Sequence, residues 1–121
     1  MNEAELKKRT KSFALRVRKL VGALPRDSVG RAIGSQLIRS ATSVGANYRA
    51  ACRGRSKAEF IAKLGIVIEE ADESSYWMEL IIEGELLPAN RVEERLDESN
   101  QVTAIMVASR KSAIENHPSK I

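Results

Sequence analysis

The sequence predicts an all-α protein, an antiparallel up-down-up-down four-helix bundle formed as one domain over residues 1–121. Three observations carry this. Apolar residues recur every three or four positions in four long stretches, the period of a helix with one buried face. Pro25, Gly54 and Pro88 divide those stretches with few residues to spare, and short connections join antiparallel neighbours. No segment alternates apolar and polar residues as a strand would, and no internal repeat or low-complexity run is present. Helices are expected at about residues 3–24, 28–53, 57–84 and 90–115. A chain of 121 residues supports one core, but is small enough for burial between copies to matter.

The first helix carries Leu6, Phe13, Val17, Leu20 and Leu24 on one stripe, with Lys7, Lys8, Lys11, Arg18 and Lys19 over the rest. Glu3 and Glu5 fall in its first turn, where the helix dipole favours acids. Pro25 ends it, because the residue before a proline is pushed out of the α region. In the second helix Ile33, Leu37, Ser40, Val44, Asn47 and Ala51 form a heptad seam. A second line (Gly34, Ile38, Ala41, Gly45, Cys52) is mostly small, which allows another helix to come close.

Arg53-Gly54-Arg55-Ser56 reads as a tight turn. Gly54 is expected to cap the second helix with a positive φ. Ser56 and Glu59 have the spacing of a capping box that starts the third. That third helix has a seam of Phe60, Leu64, Val67, Ala71, Ser74, Met78 and Ile81. A further stripe adds Ile61, Ile68, Ser75 and Ile82. A helix apolar on two sides usually touches more than its own bundle, so Ile61, Ile68 and Ile82 are a candidate oligomer face. The fourth helix is expected to open on an Asn90–Glu93 capping box and to bury Val92, Leu96, Ser99, Val102 or Thr103, Met106, Ser109 and Ala113. His117-Pro118 ends it.

The charge is unevenly spread. Residues 1–57 carry 14 Lys and Arg against 3 Asp and Glu, whereas residues 58–121 carry 6 against 13. Basic helices can therefore pack beside acidic ones, or the basic half can meet an acidic partner such as nucleic acid. Arg49, Arg53, Arg55 and Lys57 cluster at one end as candidate phosphate contacts. Stacking aromatics are missing there, so the only mode supported is sequence-independent contact with phosphates.

Catalytic chemistry is poorly supplied. The sole histidine, His117, sits by a proline near the chain end, and the sole cysteine, Cys52, has no histidine to activate it. Phosphate loops, dinucleotide fingerprints and zinc spacings are absent. The acids Glu69, Glu70, Asp72 and Glu73 read as a solvated face with an ion pair rather than a metal site. The expectation is no enzyme, no catalytic or metal residue, no cofactor and no small-molecule substrate. One cysteine fits a reducing compartment. The charged opening residues do not resemble a signal peptide. No run approaches the roughly 20 apolar residues of a membrane span, so the expected location is the cytoplasm.

Two structural roles follow from the turn. If the second and third helices are antiparallel about residue 54 or 55, facing residues have numbers summing to about 109. Arg39 then lies level with Glu70, and an ion pair with Glu70 or Glu73, partly covered by Trp77, is expected. Asn47 would satisfy backbone groups around residues 53–56, or meet a partner on the third helix.

The pattern Gln36, Arg39-Ser40, Ser43, Asn47-Tyr48-Arg49, Ser56, Phe60, Glu70-Ala71, Glu73 and Tyr76-Trp77, continued by Leu96-x-Glu98-x-x-x-Val102, resembles the four-helix-bundle family of 23S rRNA intervening-sequence proteins. The resemblance runs from about residue 10 to 113. It implies an up-down bundle and a homo-oligomer, a barrel-shaped pentamer being favoured. It also implies kinship with accessory proteins of diversity-generating retroelements, which associate with a reverse transcriptase and nucleic acid. Many relatives carry an acid shortly after the Asn motif, where this chain has Ala50-Ala51-Cys52. The resemblance implies no agreed biochemical activity. The reading is a non-enzymatic, self-assembling bundle, with a basic nucleic-acid-binding accessory factor as the alternative.

Overall fold

The computed structural model describes residues 1–116. It contains α1 (Glu3–Gly22), α2 (Ser28–Cys52), α3 (Lys57–Glu83), a 3-10 turn (Ala89–Arg91) and α4 (Glu93–Glu115). The expected His117-Pro118 stop lies outside the described residues.

Contacts between specific residues fix the directions. Gly45 of α2 faces Thr10 of α1, and Gly34 faces Val21 and Leu24, so these helices run in opposite senses. Ser40 meets Ser74 across α2–α3, while Gly54 at the turn lies by Glu59 and Phe60. Ser75 meets Ser99, and Arg110 reaches Ile61, so α3 and α4 are also antiparallel. α1 and α4 close the bundle, which leaves α1 and α3 at diagonal corners.

Phe13, Val17, Leu37, Leu64, Met78 and Met106 are fully buried at the centre. Five polar residues are buried with them, and each is bonded. Ser40 and Ser74 hydroxyls lie 2.9 Å apart. Ser75 lies 2.8 Å from Ser99, which donates to the Ala71 carbonyl at 2.9 Å. Thr10 donates to the Leu6 carbonyl at 2.9 Å. Among the described residues no buried side-chain polar atom lacks a partner, as a stable interior requires.

The helix starts follow local chemistry, with one exception. Asn2, Asp27 and Ser56 each accept a hydrogen bond from the backbone N–H three residues on, at 2.8, 2.8 and 3.1 Å. The expected Asn90–Glu93 box does not form. The 3-10 turn runs through Asn90, and the Val92 carbonyl accepts from both Arg95 and Leu96. Backbone continuity does there what a side-chain cap does elsewhere.

The turns correct two further expectations. Gly54 does not take a positive φ. Its lack of a side chain matters for room, since a Cβ there would lie 3.0 Å from the Ala51 carbonyl oxygen. The left-handed position falls instead on Glu85, φ 57°, after α3 stops at Glu83. The N–H groups of Glu85 and Leu86 close back on Ile82 and Ile81 at 3.0 and 2.9 Å, a Schellman arrangement. The first helix also ends early, at Gly22, with Ala23 and Leu24 bonded back to Leu20 and Val21. This draws Pro25 close to α2, where a side chain on Gly30 would strike the Pro25 carbonyl.

Candidate functional site

Arg39 bridges the outer edge of the α2–α3 seam. Its guanidinium donates to Glu70 Oε2 at 2.9 Å and to Glu73 Oε1 at 2.6 Å. Trp77 Nε1 donates to the same Glu73 oxygen at 3.3 Å. Arg39 is 49% exposed. The hydrogen bond from Arg39 holds the Glu73 carboxyl below its ordinary pKa, against the opposing effect of burial.

A deeper arginine clamp joins α1 to α4. Arg9 donates from Nε and Nη2 to the two oxygens of Glu98 at 3.0 and 2.6 Å, and from Nη2 to Gln101 at 2.7 Å. The fork geometry is what makes such a pair strong. Arg9 is 21% and Glu98 17% exposed. The Arg9 bond depresses the Glu98 pKa. The sequence reading passed over this pair, although Glu98 stands in the motif that carries the family resemblance.

Asn47 does not organise the turn. Its amide donates to the Ser43 carbonyl one turn back at 2.9 Å, within α2 itself. Ser56 caps α3 through the Glu59 N–H, so the capping part of the expected turn chemistry is present.

The oligomer face needs a larger correction. Ile61 is buried inside the protomer, and Ser75 faces Ser99 of α4. Ile68 and Ile82 are half-buried against the core. The second stripe of α3 is thus largely the surface that packs on α4. A helix inside a bundle has two neighbours, and two apolar lines serve both. Ile68 also edges an α3–α4 cleft of about 430 Å³ with Val107, Arg110 and Ile114. Arg110 spans that cleft to donate to the Ile61 carbonyl at 3.1 Å.

The basic residues regroup. Arg49 and Arg53 join Lys7, Lys8 and Lys11 around a cleft of about 360 Å³ between the start of α1 and the end of α2. It runs on into a pocket of about 200 Å³ whose small lining residues include Thr10, Ala14, Gly45 and Ala46. Among the described residues, Glu3 is the one acid in an ion pair there, with Lys7 at 2.9 Å. Arg55 on the turn and Lys57 at the start of α3 are exposed and do not line this cleft.

Cys52 is half-buried beside Tyr48, and burial raises the pKa of both groups, so each stays protonated near neutrality. Among the described residues no group of three His, Cys, Asp or Glu is placed to hold a metal ion, and no helix is long and apolar enough to cross a membrane.

Fold and site together define a class: a four-helix bundle clamped by two arginines, with strongly charged outer surfaces. The chain belongs to the 23S rRNA-intervening sequence protein family, which it matches over residues 2–108. It is similar to a protein of unknown function from the S23 ribosomal protein family of Bacteroides thetaiotaomicron VPI-5482, solved by crystallography. The two are 32% identical with a TM-score of 0.84, over 92% of this chain and 99% of that one. No curated protein matches it.

Proposed function

We propose that this protein acts by assembling with copies of itself, as a non-enzymatic cytoplasmic scaffold, with a pentamer the favoured count. One observation carries the reading. The outward faces of α1 and α3 are opposite in charge, and each keeps a large side chain in water, Leu15 at 57% and Tyr76 at 52% exposure. Apolar side chains ringed by unpaired charge are the usual make-up of a protein–protein contact. Family membership supports the same reading. Light scattering at tens of micromolar tests it: the expected mass is several times the 13.4 kDa of the chain, and a clean monomer ends the idea.

The cleft lined by Lys7, Lys8, Lys11, Arg49 and Arg53 favours a second reading, sequence-independent binding of nucleic-acid phosphates. If all five cations engage duplex phosphates, log affinity should fall with log salt at a slope of about −4 to −5. Absence of binding at low salt removes this reading.

A further inference from the structure

We propose that copies of this protein dock α1 of one subunit along α3 of the next, in parallel, with each α1 residue opposite the α3 residue 61 positions later in sequence. The inference rests on the self-assembly reading and adds the surface and register.

The outward face of α1 is formed by Lys8, Lys11, Leu15, Arg18 and Gly22, all exposed. The outward face of α3 is formed by Glu69, Asp72, Tyr76, Glu79 and Glu83, also all exposed. Both sets step by three, four, three and four, so each makes one straight stripe along its helix. Among the described residues, none of the seven charged side chains in the two stripes joins an ion pair within the protomer. Each stripe is about 21 Å long, from a rise of about 1.5 Å per residue.

The stripes are complementary position by position. In the proposed register Lys8 faces Glu69, Lys11 faces Asp72, Leu15 faces Tyr76 and Arg18 faces Glu79. The apolar pair falls in the middle, with opposite charges on both sides. That is an anchored core with a polar rim.

The fold supplies the direction. α1 and α3 point the same way in an up-down-up-down bundle, and they occupy diagonal corners. The two stripes therefore cannot meet within one subunit. Rotation about an axis along the bundle brings α1 of one copy beside α3 of the next with the same polarity. Because the contact joins two different faces, it repeats head to tail and closes into a ring when the rotation allows.

Sedimentation of purified chains tests this directly. The wild-type chain is expected as an oligomer. Leu15→Glu breaks only the α1 face and Tyr76→Glu only the α3 face, so each variant alone should run as a 13.4 kDa monomer. Where the two broken faces would meet in a mixture, the two new carboxylates face and repel each other. Mixed together they retain one intact face apiece and should form a 1:1 complex of about twice that mass and nothing larger. Lys8→Glu should raise the dissociation constant at least about tenfold. Glu69→Lys should restore it, whereas Glu83→Lys, the match in an antiparallel docking, should not. Circular dichroism checks that helicity is kept, and the Lys8 series alters only exposed side chains if the Leu15 or Tyr76 variants lose it. If the wild type is an oligomer and these variants assemble as it does, the α1–α3 contact is wrong while self-assembly stands. If the wild type is a monomer, both fail. Assembly that appears only when nucleic acid is added overturns direct docking in favour of the basic cleft.

Discussion

The α2–α3 and α1–α4 seams are each crossed by one arginine, and they differ in how the helices are brought together. α2 and α3 are tied by a four-residue turn, Arg53–Ser56, so their register follows from the covalent chain. Arg39 then sits at the rim, half in water. α1 and α4 share no connection and form the sparsest contact between neighbouring helices. Their register has to come from side chains, and Arg9 with Glu98 is the deepest ion pair described. The lesson is that a clamp contributes most where the chain itself fixes least. Loop closure has already taken up the entropy of ordering on one side of the bundle.

That ranking can be broken by mutation. Glu98→Ala should have the larger effect. It leaves Arg9 part-buried with only Gln101, and should cost about 1–2 kcal/mol by urea unfolding, allowing for solvent screening. Hydrogen exchange should show α1 losing protection first, since α1 gives up its main link to α4.

Acid should reveal the same pair. The Glu98 pKa is depressed by Arg9 below its ordinary 4.5. Its contribution is therefore complete above that ordinary value and is lost as the pH falls through the depressed one. Wild type and Glu98→Gln should differ in melting temperature near neutrality and converge in acid. A gap that persists at pH 2 would show that the charge is not what matters.

Arg39→Ala should lower the melting point less than Glu98→Ala does, and the loss should shrink in about 0.5 M salt, because exposed pairs are screened. An Arg39 variant less stable than the Glu98 variant would reverse the comparison. The smallest effect is expected from Asn47→Ala. It removes a bond within one helix and installs a better helix former, so stability should stay within about 0.5 kcal/mol of wild type.

The same physics explains what could be read in advance. The four helices and their buried seams were legible because a 3.6-residue period is written locally. The facing of Arg39 and α3 carboxylates was legible because a short turn converts numbering into geometry. Arg9 and Glu98 are 89 residues apart with three helices' worth of chain around them, and no local rule reports their level. Asn47 was misplaced because an amide on a seam looks like a partner for something distant, while its own preceding turn was nearer. Ile61 was misassigned because a second apolar stripe cannot reveal whether it faces α4 or a neighbouring copy. The basic cleft joined residues from α1 and α2 that only packing sets side by side.

By itself, then, the sequence determined the elements: where helices start on Asn2, Asp27 and Ser56, where they break, and which face of each avoids water. These depend on interactions within a few residues. Tertiary structure decided the pairings: Arg9 with Glu98, Lys7 and Lys11 with Arg49, and the opposite corners given to the α1 and α3 stripes. Those depend on how rigid helices settle against each other, a balance of packing across the whole bundle that no single segment encodes.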